Sequence, residues 1–250
     1  TYLDLDFVRS RFPALASGFT YMDNAGGSQT LNTVVERISE YLLTSDVQLG
    51  ASYEISRLAE ARVSDGTAAM AAYVNAAHED EVVMGHSASY LLKTLATGLA
   101  RTWSPGDEII VTNTDHEANV SPWSALASQG FVIKVWEVNP NSLRMDLDDL
   151  SALMTPKTRL VAMTHASNIL GTINPIAEIA ARVHEAGALI CVDGVAFAPH
   201  RALDVQAWDV DFYVFSFYKV YGPHYAMLYG KRHLLEAIPG NNHYFIESCP

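Results

Sequence analysis

Asp211-Phe-Tyr-Val-Phe-Ser-Phe-Tyr-Lys219-Val-Tyr-Gly-Pro-His224 is the stretch whose reading decides the fold. Phe212 to Phe215 is an apolar run of the length of a buried strand. The chain turns polar at Ser216, places one lysine just past the strand, and stops at Gly222-Pro223, a loop signal. In an open α/β sheet, ligands bind beyond the carboxyl ends of the strands. Lys219 therefore stands where a reacting lysine would stand. Its aromatic neighbours would desolvate the ammonium and lower its pKa toward the range where an amine is nucleophilic. A plain loop lysine is the competing reading of this stretch alone.

Working outward, strands alternate with helices from residue 80 onward. The pattern predicts strands over 81–84, 108–112, 131–138, 159–164, 188–193, 212–216 and 226–229. The intervening helices are expected over 87–101, 122–129, 146–154 and 176–186, with a last helical signal over 233–237. Two further helices are expected over 33–43 and 56–74, an amphipathic segment over 3–12, and a short strand over 19–23. Such alternation implies βαβ units, and hence an α/β, three-layer domain with a mostly parallel central sheet. The continuous apolar runs 160–163 and 189–192 suit strands covered on both faces.

Several strands end in residues with chemical use. Gly85-His86-Ser87-Ala88-Ser89 precedes a helix, and hydroxyl groups with free backbone N–H at a helix start can cradle a phosphate. An ordinary serine cap is the alternative. His116, after the 108–112 strand, could stack on a flat ring or move protons, or simply be a surface histidine. Asn168, past the 159–164 strand, could donate to a ring oxygen or satisfy a turn. Asp193 closes a hydrophobic strand, where an unpaired carboxylate is costly, so it needs a cationic or donor partner. Asn24-Ala25-Gly26-Gly27 exposes bare backbone to which a ligand could come close. A phosphate cradle, a ring stacker, an oxygen donor, a buried carboxylate and a reactive lysine together match the needs of pyridoxal 5′-phosphate.

At the level of whole motifs, the chain resembles the class V aminotransferases, which are fold type I pyridoxal-phosphate enzymes, and within them the cysteine desulfurase-like branch. The motifs are Thr114-Asp-His116-Glu-Ala-Asn119-Val-Ser-Pro-Trp123, Ser167-Asn168-Ile-Leu-Gly171, Val192-Asp193-Gly194 and the lysine stretch. The resemblance spans roughly residues 18–240. It implies that Lys219 holds the cofactor covalently and moves the Cα proton, that Asp193 pairs with the ring nitrogen, and that His116 stacks on the ring. It also implies that Asn168 bonds near the ring oxygen, and that Ser87, the backbone of His86, Ser216 and Tyr218 hold the phosphate. Ala25 and Gly26 would line the substrate pocket. Two departures stand out: Tyr218 replaces a histidine common in desulfurases, and Ala196 replaces a glutamine.

The resemblance further implies an amino-acid substrate, C–S bond cleavage of cysteine or a related sulfur compound, and a homodimer. Epimerisation or transamination could use the same cofactor site, and a non-catalytic scaffold could retain the fold. The chain is expected to comprise an N-terminal segment over 1–18 and the cofactor-binding large domain over 19–250. The family's small domain, with its carboxylate-binding arginine and sulfur-accepting cysteine, would lie beyond Pro250. Composition narrows the setting. The net charge of −12 argues against a nucleic-acid partner. No apolar run is long enough to span a membrane, and no signal peptide opens the sequence. The two cysteines, Cys191 and Cys249, form no disulfide framework, and no metal-type spacing occurs. A reducing, cytoplasmic location is expected.

Overall fold

The computed structural model describes residues 2–240. Cys249 and the predicted loop at 240–242, beyond Gly240, lie outside the described residues. In chain order the elements are α1 (Leu5–Ser10), α2 (Asn32–Thr44), α3 (Glu54–Val74), β1 (Val82–Gly85), α4 (Ala88–Ala100), β2 (Glu108–Thr112), α5 (Ser121–Ser124) and β3 (Val132–Trp136). They continue with α6 (Leu147–Leu153), β4 (Thr158–Thr164), α7 (Ile176–Glu185), β5 (Leu189–Asp193), α8 (Val205–Trp208), β6 (Phe212–Ser216), β7 (Ala226–Gly230) and α9 (Arg232–Ala237).

The seven strands form one sheet in the order β1-β7-β6-β5-β4-β2-β3. Strands β2 to β6 run parallel, and β7 runs antiparallel to both β6 and β1. The reversal follows from a short connection: residues 217–225 join β6 to its immediate neighbour, too few for a parallel crossover.

Side-chain alternation along each strand builds two cores, one on each face. Ile110, Val161, Met163, Ile190, Val192, Tyr213 and Phe215 pack with α3, α6, α7 and α8. Ile109, Val111, Leu160, Ala162, Cys191, Phe212 and Val214 pack with α4, α5 and α9. This is the three-layer arrangement expected from the uninterrupted apolar strands. Cys191 is fully buried in the second core.

The base of the sheet is pinned by ion pairs. Asp211 accepts from Lys231 at 2.9 Å and lies 2.9 Å from Nε2 of His184. Glu108 accepts from Lys134 at 2.7 Å and from the hydroxyls of Thr155 and Thr158. Those donors hold the Glu108 carboxyl below its ordinary range, although its own burial pushes it up.

One expected element does not form. Residues 19–23 are irregular rather than a strand. Their backbone has no neighbouring ladder to join, and the Tyr21 hydroxyl instead lies within hydrogen-bonding distance of the carbonyls of Asp23 and Gly27. The amphipathic N-terminal segment is shorter than expected, with α1 ending at Ser10 and a separate 3-10 turn over Pro13–Ser17. The helix expected over 122–129 divides into α5 and a 3-10 segment, Ala125–Gln129.

Candidate active site

The sheet's carboxyl edge carries the site. An open cavity of about 260 Å³ lies there, lined among others by Gly26, Ser87, His116, Asn168, Asp193, Ser216, Tyr218 and Lys219. These residues come from loops and strand ends far apart in sequence, and the parallel topology brings them to one edge.

Lys219 closes a 3-10 turn, Phe217–Lys219, between β6 and β7. That connection is held at both ends. Ser216 pairs with Ala226, and the Phe217 N–H donates to the Tyr225 carbonyl at 2.8 Å. Tyr221 takes a left-handed conformation, φ 68°, which is costly for a bulky residue. Ser28 supports it: its hydroxyl accepts from the Tyr221 N–H at 2.8 Å. Ser28 also donates to the Tyr218 carbonyl through both its N–H and its hydroxyl, each at 2.8 Å. The Gly26-Gly27 loop is thereby tied to the lysine turn, which explains why Gly26 lines the same cavity. Burial lowers the Lys219 pKa, while Asp193 and Asp23 pull it back up.

Asp193 ends β5 and is buried. Its Oδ1 accepts from the Val195 N–H at 2.8 Å, and Oδ2 has no hydrogen-bond partner among the described residues. Burial raises its pKa; the Val195 N–H and the charges of His116 and Lys219 counter this only in part. A half-satisfied buried carboxylate facing a cavity is poised for a cationic ligand group.

His116 caps the 3-10 turn Glu117–Asn119, its Nδ1 accepting from the Ala118 N–H at 3.1 Å. A neutral ring with Nδ1 so engaged carries its proton on Nε2. Ser87 is the N-cap of α4, its hydroxyl oxygen accepting from the Tyr90 N–H at 3.1 Å. The remaining first-turn N–H groups of α4 have no acceptor within the helix, and Ala88 and Ser89 line the cavity.

Tyr218 stacks on His224, ring centroids 4.7 Å apart, and both line the cavity. Ser216 is buried at the end of β6. The ring of His86 packs edge-on against Tyr90 and Tyr225 and does not line the cavity; only its backbone had been assigned a role. Ala25 lies in a second cavity of about 450 Å³, which shares Asn168, Ala196 and Lys219 with the first.

Two groups behind this edge escaped the sequence reading, the partly buried Asp115 and the buried His165. Asp115 accepts hydrogen bonds from Thr112, Asn119 and the Thr164 N–H. His165 stacks on Phe197 at 3.5 Å, meets the edge of Trp208, and lies 3.0 Å from the Tyr213 hydroxyl. Its backbone N–H donates to the Asp193 carbonyl at 2.8 Å. Among the described residues, no group of three or more His, Cys, Asp or Glu could hold a metal ion, and no helix is long and apolar enough to cross a membrane.

The fold and this edge define a fold type I pyridoxal-phosphate protein. The sequence pattern of the class-V aminotransferases matches residues 20–243, and the chain belongs to that family. It is 48% identical over 96% of its length to the aminotransferase-like protein FGM3 of Gibberella zeae, and 35% identical over 94% to a cysteine desulfurase of Dickeya dadantii. It spans 61% and 59% of those two relatives. Among solved structures, the cysteine desulfurase CsdA of Escherichia coli superposes with a TM-score of 0.85 at 32% identity, covering 95% of this chain and 60% of that one.

The family's cofactor is pyridoxal 5′-phosphate, and the cavity fits it. The free Oδ2 of Asp193 offers an acceptor to a protonated ring nitrogen, Lys219 offers an amine, and the start of α4 offers N–H groups to a phosphate.

Proposed function

We propose that this protein acts on an amino acid with pyridoxal 5′-phosphate, cleaving the C–S bond of cysteine or a related sulfur compound. One observation carries the reading: Lys219 and Asp193, each with its pKa displaced by burial, line a single cavity at the carboxyl ends of the strands. When bound, the cofactor supplies an electron sink for the charge left at the substrate's Cα. Lys219 holds the cofactor and, with its ammonium destabilised by burial, takes the Cα proton at Nζ. Asp193 keeps the ring nitrogen protonated through Oδ2. His116 lies against the ring face, and Asn168 donates to the ring oxygen. Ser87, Ser216, Tyr218 and the backbone from His86 onward hold the phosphate, and Ala25 and Gly26 face the substrate.

The relatives named cysteine desulfurase support C–S cleavage over epimerisation, transamination or a scaffold role. We further propose that residues 19–250 form the large domain of a cytoplasmic homodimer. In this arrangement residues 1–18 are an N-terminal segment, and a small domain beyond residue 250 closes the pocket. The test is to load the protein with pyridoxal 5′-phosphate, add cysteine with dithiothreitol as the two-electron reductant that releases the abstracted sulfur as sulfide, and measure sulfide and alanine, both for residues 1–250 and for a longer chain with its natural continuation. Sulfide and alanine in equal amounts from the longer chain support the reading. A visible cofactor band with no product from any sulfur amino acid overturns the C–S assignment, and no band at all overturns the cofactor site.

A further inference from the structure

Asp115 is a partly buried carboxylate that the reaction as described above does not use. It sits just past β2, yet its Oδ2 accepts from the Thr164 N–H at 2.8 Å and from the Thr112 hydroxyl, so it joins the ends of β2 and β4. Its Oδ1 accepts from the Asn119 amide at 2.6 Å. That amide cannot turn over freely, because its own oxygen accepts from Nε1 of the fully buried Trp123 at 3.2 Å. Three donors from three directions fix the Asp115 carboxylate. The next residue in the chain is His116. Across the sheet, Thr164 pairs with Asp193 in the parallel β4–β5 ladder. One carboxylate therefore sets the position of both the ring-stacking histidine and the strand end that bears Asp193.

We propose that Asp115 is a positioning residue of the cofactor site, a second carboxylate behind the edge whose charge is felt by the cofactor through Asp193 and His116. This rests on the proposed cofactor site and deepens it. Burial pushes the Asp115 pKa up to about 7, the three donors oppose that, and the negative charge of Asp193 adds to it. The titratable groups around it are Asp193 and the Cys191 thiol on β5 and His116 on its own loop, with Lys219 acting on Asp193 from the β6–β7 connection. Asp193 has the ammonium of Lys219 nearby and the Val195 N–H on Oδ1, whereas the donors to Asp115 are all neutral. Asp193 thus ionises first, and Asp115 is the member of the pair that changes charge near neutrality. An anion there favours the protonated form of a bound chromophore, so the titration of Asp115 itself is read as a step in the cofactor's visible band.

The experiment is a pH titration of the visible absorbance of the protein loaded with pyridoxal 5′-phosphate. Asp115→Asn removes the charge, and Thr112→Val removes one donor to the ionised carboxylate while leaving the carboxylate in place. The wild type is expected to show a spectral step near neutrality. Asp115→Asn should abolish that step, and Thr112→Val should move it up by about one unit, the shift expected from losing one hydrogen bond to a charged group. Wild-type titration curves in both variants overturn the proposal. Should Asp115→Asn not fold, an unmoved step in Thr112→Val overturns it alone. A purely structural role would lower stability and cofactor affinity without moving the step. Failure of the wild type to bind the cofactor would instead refute the cofactor site itself.

Discussion

Acidification offers a demanding test of the packing behind the site. Burial drives the pKa of His165 from 6.5 down to about 3, because the folded chain holds its ring neutral between Phe197, Trp208 and Tyr213. The unfolded chain takes up the proton first. His165 therefore contributes stability that is complete above 6.5, declines as pH falls through 6.5, and is gone below about 3. Between about pH 7.5 and about pH 5 the loss comes to roughly 2 kcal/mol. Asp115 has the opposite sign: its folded pKa is raised from 3.8 to about 7, so it binds a proton more tightly when folded. Its share grows by about 2.5 kcal/mol over the same interval and is lost again as pH rises through 7. These two contributions nearly cancel, so the wild type alone would not reveal either of them. Urea unfolding of wild type and His165→Gln at both pH values separates them. The substitution costs stability at either pH, but the gap between the two proteins should narrow by about 2 kcal/mol at the lower one. A gap constant to within about 0.5 kcal/mol would show that His165 is not held neutral and would refute the reasoning.

Three further outcomes are expected. Lys219→Ala, incubated with pyridoxal 5′-phosphate and reduced with borohydride, should retain no covalently fixed cofactor by mass spectrometry; wild-type labelling would assign the role to another lysine. Asp193→Asn should still bind the cofactor but slow hydrogen exchange at the substrate Cα by about 100-fold or more, a loss typical of removing one electrostatic contact to developing charge; an unchanged exchange rate would remove Asp193 from the mechanism. At Gly194 a Cβ would lie 2.2 Å from the Tyr213 ring, which is itself fully buried, so Gly194→Ala forces either the ring or the end of β5 to move. It should cost about 1–3 kcal/mol in thermal unfolding and weaken cofactor binding as well, and a neutral result would mean that the strand end yields freely.

The parallel strands were legible because burial on both faces leaves no polar position in Leu160–Met163 or Ile190–Val192. That Lys219, Asp193, His116, Asn168 and Ser87 line one cavity was legible for a related reason: each stands at or just past the end of a strand, on the edge where the loops gather. Asp115 and His165 were not, since each stands in a short polar run past a strand that reads as loop. Asp115 is held through Asn119, which Trp123 fixes, and His165 is covered by Trp208, contacts that the sequence pattern does not reveal. Residues 19–23 misled in the opposite direction. Their aromatic and β-branched composition suits a strand, but strand formation needs a partner ladder, and the sheet's edges are occupied by β1 and β3.

The place of β1 in the sheet has a consequence for biosynthesis. Among the described residues its only neighbour is β7, and Val82 pairs with Tyr229, a contact between strands that the ribosome makes far apart in time. Until β7 has emerged, β1 and the start of α4 that follows it lack the strand that pins them beside the Lys219 turn. Such long-range closure is intrinsically slow, and it leaves β1 an unpaired edge in the nascent chain. Cofactor capture should accordingly be among the last events of folding, so that the first appearance of the visible band during refolding times the arrival of the final strand.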